Sequence, residues 1–190
     1  MRYSSRHKAE VRQQIIRTAS CRFRSEGMDA VGIANLMADL GLTHGGFYSH
    51  FRDKEALVAA ACRHGFDELQ QRLAELLQAV PPEERLAALV EHYLSPEHRD
   101  RPDDGCVAAA LGGEVARRDQ PSRQAFTAGV EAQLALLANC PPLRAGGAMT
   151  ASAALALMVG ALLLSRAVSD PALSLRFLDE AKRALAPPTE

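Results

Sequence analysis

Residues 31–61, VGIANLMADLGLTHGGFYSHFRDKEALVAAA, decide how the chain is read. Ile33, Leu36, Met37 and Leu40 stand at i, i+3, i+4 and i+7, the spacing of one apolar helix face, and predict a two-turn helix that stops at Gly41. Glycine takes the left-handed conformation that a tight turn demands. Leu42 then offers an apolar plug, Thr43 an N-cap, and Phe47 with Phe51 a four-spaced apolar pair, so a short third helix is predicted over Thr43 to Phe51. A longer helix opens near Asp53, whose carboxylate can cap it with Glu55 in the first turn, and runs to about Ala79, ahead of Pro81 and Pro82.

A helix, a tight turn and a second helix read DNA when the second helix has a packed back and a thin front, because its backbone must come close to the major groove. LTHGGFYSHF supplies both: Leu42, Phe47 and Phe51 form the back, and Thr43, His44, Gly45, Gly46 and His50 the front. A glycine inside a helix costs about 1 kcal/mol relative to alanine. The adjacent pair either marks a loop or leaves room for a base or a phosphate.

Outward from this stretch the chain reads as all-α, with no alternating β-branched run and a dominance of Ala, Leu, Glu, Gln and Arg. Val11, Ile15, Ala19 and Phe23 give a first helix from about Ser5 to Glu26, with Gly27 as its stop. Downstream helices are expected at Glu83 to Leu94, Asp103 to Arg118, Pro121 to Asn139, Thr150 to Val168 and Pro171 to Leu185. Their breaks fall at Ser95-Pro96, Arg101-Pro102, Pro141-Pro142, Gly146-Gly147 and Ser169-Asp170, and the last residues, APPTE, read as a tail. About nine helices result: a three-helix helix-turn-helix domain over 1–52, then a helical bundle over 53–190. Ala145 to Ser165 holds 21 residues without a charge, which by length alone would permit a membrane span. Its first half is Gly, Ala, Ser and Thr, it lacks aromatic anchors, and its strongly apolar part is short, so burial against the bundle and a partner subunit explains it better.

The formal net charge of -1 hides a polarised chain. Residues 1–65 carry ten Lys or Arg against six Asp or Glu, while the rest carries twelve against seventeen. A positive end on a negative body turns that end toward phosphate, although a solvated charged face gives the same count. Cys21, Cys62, Cys106 and Cys140 lie far apart, with no Cys-x-x-Cys pair and no His at metal-ligand spacing, so neither a zinc site nor a disulfide framework is supported and no cofactor is implied. The N-terminus MRYSSRHKAEVRQQ has no apolar stretch of a signal peptide, and a cytoplasmic protein with reduced thiols is the expectation.

The Gly-Leu-Thr turn, the Gly-Gly-Phe-Tyr-x-His-Phe helix and the Lys-Glu-Ala-Leu opening of the next helix resemble the N-terminal domain of the TetR/AcrR family of repressors, over roughly Val11 to Ala61. That resemblance implies a dimer that binds a palindromic DNA operator and is released by a small-molecule inducer. It implies phosphate contacts for Tyr48 and Lys54, a capping and backbone role for Thr43, and base reading by His44, Gly45 and Gly46, with His50 as a further backbone contact. Tyr48 could also be a half-buried core aromatic, and each His an ordinary exposed imidazole. Two positions depart from the family pattern: Gly32 replaces a Ser/Thr cap, and Ala34 a polar reader. Specificity then falls to the recognition helix and to an N-terminal arm carrying Arg2 and Arg6, which could enter a minor groove.

Two-fold symmetry places two recognition helices about one DNA turn apart. The last two helices are expected to form the dimer contact through Leu155, Met158, Leu162, Leu163, Phe177 and Leu178. His64, Phe66, Tyr93, Cys106, Phe126 and Met158 are candidate walls of a pocket for a compact, moderately apolar ligand, and equally candidate plain core. Cys106 follows Asp103-Asp104-Gly105 near an expected helix N-terminus and carries an alternative reading, a redox or electrophile switch. An enzyme would need Cys106 paired with His92 or His98, and no partner motif accompanies it, so a non-enzymatic regulator is expected.

Overall fold

A computed structural model describes residues 5–141 and 149–186. Among these, nine α-helices and two short 3₁₀ helices are present, with no strand. The helices are α1 Ser5–Glu26, α2 Ile33–Asp39, α3 Lys54–Gln78, α4 Arg85–Tyr93, α5 Pro96–Asp100, α6 Val107–Val115, α7 Gln120–Ala138, α8 Ala151–Ala167 and α9 Pro171–Leu185. The 3₁₀ segments are His44–Ser49, the recognition helix, and Pro82–Glu84.

Local chemistry sets most of these limits. Gly27 and Gly41 adopt φ of 87° and 67°, left-handed conformations that end α1 and α2. Side chains cap the starts: Asp53 accepts from Ala56 N at 2.7 Å, Ser95 from His98 N at 3.1 Å, Asp119 from Ser122 N at 3.0 Å and Thr150 from Ala153 N at 3.2 Å. Gly32 caps α2 with extended backbone and no side-chain bond, as its lack of a hydroxyl requires.

The first three helical segments and the start of α3 form a head, closed by Ile15, Phe23, Leu36, Met37, Phe47 and Phe51. From there α3 runs on into the body, where it pairs extensively with α7, while α8 and α9 pair at the far side. No helix among the described residues is long and apolar enough to cross a membrane. The Gly146-Gly147 break, the end of the tail and Arg2 lie outside the described residues.

Two expected elements need correction. The recognition segment is a 3₁₀ helix over His44–Ser49 with Thr43 as its cap, and only its last turn, Phe51 N to Phe47 O at 3.0 Å, closes an α-type ring. The expected break at Ser95-Pro96 is present and is also a start: the serine caps α5 and the proline occupies its first turn, where a missing N–H is harmless. The helix expected at Asp103 to Arg118 begins only at Val107, because the preceding peptides are held by side chains from elsewhere. The Asp104 carbonyl accepts from Arg72, the Gly105 carbonyl from Arg24 Nη1 at 3.0 Å, and Cys106 N–H donates to His98 Nε2 at 3.1 Å. At its other end the helix stops at Val115, and Arg118 beyond it turns to Asp29 and Glu55.

Candidate nucleic-acid interface

Phe47, fully buried, roots the recognition helix between α1 and α2, stacked on Phe51 at 5.5 Å between ring centroids. Arg12 of α1 lies over the Phe51 ring at 4.7 Å, a cation–π contact on the same base. Because this side is fixed, the opposite side must face out. Tyr48 is 58% exposed, and Thr43, His44, Gly45 and Ser49 are exposed with it. The half-buried core aromatic considered for Tyr48 is therefore excluded. Its ring meets His44 edge-on at 5.8 Å, and Phe47 edge-on at 5.3 Å, so the two exposed rings stand as one ridge.

The two glycines do different things. A methyl group added to Gly45 meets nothing within 4 Å, whereas at Gly46 it would sit 3.3 Å from Thr43 Oγ1. Gly46 is small because the capping bond, Gly46 N to Thr43 Oγ1 at 3.2 Å, crosses that space. Gly45 is small with only open space before it, which removes packing as its explanation.

A groove of about 370 Å³ runs between the start of α1 and the recognition helix, lined by Lys8, Val11, Met37, Thr43, Gly46 and His50. His50 is half-buried at its edge. Its Nδ1 has no hydrogen-bond partner among the described residues, and burial, then the nearby Lys8 and Arg12 charges, push its pKa below the ordinary value. Lys54 stands in the first turn of α3, half-buried, on the same head. Arg6, expected in an arm, is exposed on α1 and paired with Glu10 at 3.0 Å.

Sequence reasoning missed the struts that fix this head to the body. Arg24, buried on α1, donates to the Gly105 carbonyl at 3.0 Å and to Ser20 O at 3.1 Å. Glu114 in the last turn of α6 accepts from Met28 N at 2.8 Å, and Arg118 pairs with Asp29 and with Glu55 at 3.0 Å. Helix α6 is therefore held by the head near both ends. A buried arginine that joins a carbonyl of its own helix to one in a distant turn has no signature in sequence spacing.

The fold is a helix-turn-helix head on an all-helical body, and the comparisons with known proteins agree. The family model "Bacterial regulatory proteins, tetR family" matches residues 15–61. Over that stretch the chain is similar to the TetR family. The "HTH-type transcriptional repressor NemR" of Escherichia coli K12 is 27% identical over 132 residues, 68% of this chain. That match spans 66% of the relative's own length, just under two thirds. Among solved TetR-family structures, the reduced form of E. coli NemR superposes with a TM-score of 0.76 at 24% identity, covering 93% of this chain and 95% of that one. A TetR regulator from Cytophaga hutchinsonii gives 0.78 at 21% identity, covering 94% of each chain. AibR, solved "in complex with isovaleryl coenzyme A and operator DNA", gives 0.66 at 19%, covering 94% of this chain and 99% of that one.

The six residues expected at a ligand pocket separate into two groups. Tyr93 and Met158 line one small cavity in the body, and Cys106 is buried beside Tyr93. Phe66 and Phe126 pack edge to face at 5.4 Å, with Phe66 filling the space over Gly129. His64 is not part of either group: it pairs with Glu68 at 3.3 Å.

The dimer residues also need correction. Leu155, Met158, Leu162 and Leu178 are buried in the subunit's own core and cannot form an outer contact. Leu163 and Leu164 on α8 and Leu175 on α9 are exposed instead, with Phe177 half-buried between. A helix that is apolar all round does not reveal in sequence which side its own bundle takes.

Cys106 caps α6 but is fully buried, and of the acidic residues before it Asp104 is engaged by Arg72 and Arg101. Neither histidine partners its thiol. His98 spends Nδ1 on Tyr93 O at 2.6 Å and Nε2 on the Cys106 backbone N–H, a neutral tautomer that agrees with its pKa being pushed down to about 4 by burial.

Proposed function

We propose that the protein is a one-component transcriptional repressor that binds a palindromic operator as a dimer and releases it when a small molecule enters the body. The observation that carries the reading is the recognition helix itself: an exposed ridge of Tyr48 and His44 beside the bare backbone of Gly45, rooted on buried Phe47. A ridge of this kind, on the positive end of an otherwise negative chain, suits a polyanion with a groove.

In this reading Tyr48 and Lys54 hold phosphates and fix register, as does Thr43 beside its capping role. His44 reads a base edge, Gly45 and Gly46 let the backbone approach, and His50 touches a further phosphate. The head is taken as residues 1–52 and the ligand-binding and dimerisation unit as 53–190. Leu163, Leu164, Leu175 and Phe177 supply the dimer face. NemR is named a repressor, and AibR was solved with operator DNA and a coenzyme A ester, which supports both halves of the reading by analogy. Such a repressor works in the cytoplasm, where the chromosome lies.

The test is selection of duplexes from a random-sequence library by the full chain. Recovery of an inverted repeat with salt-dependent binding is expected, and Leu163→Glu with Leu175→Glu should convert the dimer to monomers and abolish that recovery. A protein that selects no duplex is not a repressor.

The second reading, a thiol switch at Cys106, has one observation in its favour. Cys106 adjoins the Gly105 carbonyl that Arg24 of the head grips, so a changed sulfur would reach the head through one peptide. Cys106→Ser that is still released by an electrophile ends this alternative.

A further inference from the structure

Four helices, α3, α4, α7 and α8, meet around a narrow cavity of about 10 Å³ walled by Leu73, Leu89, Leu137, Leu155 and Met158. Two polar side chains interrupt those apolar walls. Tyr93 is 1% exposed and Gln133 4%, yet neither Tyr93 Oη nor Gln133 Oε1 has a hydrogen-bond partner among the described residues. The Gln133 amide instead donates through Nε2 to Cys106 Sγ at 3.7 Å, and the Tyr93 phenol lies beside that thiol, its pKa pushed well above the ordinary value by burial and then by Cys106. One hydroxyl donor and one amide acceptor therefore stand unused in a setting where buried polar groups are nearly always paired.

We infer that the effector is a compact, uncharged molecule, apolar apart from one hydroxyl group, and that Tyr93 and Gln133 read that hydroxyl. The inference rests on the reading of the body as a ligand-responsive unit. A hydroxyl accepts from Tyr93 Oη–H while donating to Gln133 Oε1, the two functions left over. A carboxylate would satisfy the phenol but turn a negative oxygen on the amide oxygen. An ammonium would satisfy the amide but find no acidic side chain on the cavity wall. The apolar remainder of the ligand has only leucines and Met158 to touch, and methionine is the side chain that yields most readily to a new shape.

Entry must part the four helices, because the space between them is no larger than about one water. Gln133 of the cavity wall reaches Cys106, the cap of α6, one residue from the Gly105 carbonyl held by Arg24. Occupancy thus acts on the strut that carries the head.

The experiment is calorimetric titration and thermal melting of the full chain with isobutanol, cyclohexanol and benzyl alcohol, against toluene and benzoate. At least one alcohol should bind and raise Tm, with toluene and benzoate tenfold weaker or more. Tyr93→Phe and Gln133→Leu should each weaken that alcohol at least tenfold, and each should raise the Tm of the free protein by removing an unpaired buried group. Gln133→Met serves if the leucine variant does not fold. The inference is overturned if no alcohol binds, if toluene or benzoate binds as tightly, or if the variants keep the affinity. Release of the selected operator is measured separately: an alcohol that binds without releasing DNA leaves this inference standing and defeats the inducer reading.

Discussion

Two tyrosines, Tyr48 in the head and Tyr93 in the body, hold their hydroxyl groups in opposite circumstances. Tyr48 is 58% exposed on a ridge whose buried root is Phe47, so water serves its hydroxyl until a partner arrives. Tyr93 is 1% exposed, and its hydroxyl has no hydrogen-bond partner among the described residues. The head therefore presents its chemistry at no cost in stability, while the body carries a destabilising one, since a buried unpaired hydroxyl costs about 1–3 kcal/mol. A surface that meets a rigid polyanion needs only shape and charge. A cavity that must change on binding gains from a closed state that is not fully satisfied.

The largest effect should come from the ridge. Tyr48→Ala and Lys54→Ala should each weaken operator binding by roughly tenfold to a hundredfold, the size of a lost charge-assisted hydrogen bond of about 1.5–3 kcal/mol. Helicity and dimerisation should persist, and Lys54→Ala should lower the slope of log K against log salt by about one. Affinity measured by fluorescence anisotropy at several salt concentrations decides this. Undiminished binding by both variants would place the interface elsewhere.

Next is the joint between the two regions. Arg24→Met leaves the carbonyls of Ser20 and Gly105 without their guanidinium, and should cost about 2 kcal/mol in a denaturant melt. Its sharper consequence is on communication. Amide exchange in the head should accelerate while α7 to α9 keep their protection, because the Glu114 and Arg118 struts remain as the chief hold. Equal acceleration throughout would show that Arg24 is ordinary core.

Gly45→Ala separates folding from recognition. With nothing within 4 Å of the added methyl group, the free protein should lose nothing and gain up to about 1 kcal/mol, the helix preference of alanine over glycine. Operator affinity should fall about tenfold if the bare backbone is what approaches the groove. A variant that is more stable and binds as before would mean that Gly45 only marks a turn.

Head and body also differed in how much the sequence disclosed. Gly27, Gly41, Thr43 and Asp53 act within a few residues of themselves, by a left-handed turn or a cap, so both the helix-turn-helix and the start of α3 were legible. Tyr48 and Phe47 are neighbours with opposite burial, which four-residue spacing already separates. The body hid its rules because they act at long range. Helix α6 starts late because Arg24, Arg72 and His98 hold the preceding peptides, and Leu155 and Leu163 are alike in sequence although α9 and the core claim only one of them. The paired roles of Tyr93 and Gln133 join α4 to α7 across a cavity that no local pattern encodes.

The smallest effect is the most specific to the head. In the free protein, burial together with Lys8 and Arg12 holds the His50 pKa below its ordinary 6.5, so the ring is neutral at physiological pH. The folded value lies below the unfolded one, and this group's contribution to stability is present above about pH 6.5 and declines as pH falls toward the folded value. A phosphate beside His50 would act in the other direction and raise its pKa in the complex. Binding then takes up a proton, and affinity should strengthen as pH falls from 7.5 toward 6. A rise of half a unit in the bound state is worth about threefold well below both values, and less within this interval. Other groups also respond to pH, so the quantity to measure is the difference between wild type and His50→Gln across that interval. A steeper gain for wild type than for the variant puts a phosphate against His50. Parallel pH profiles would instead confine the DNA contact of this helix to Tyr48, His44 and Gly45, and leave His50 as a wall of the groove.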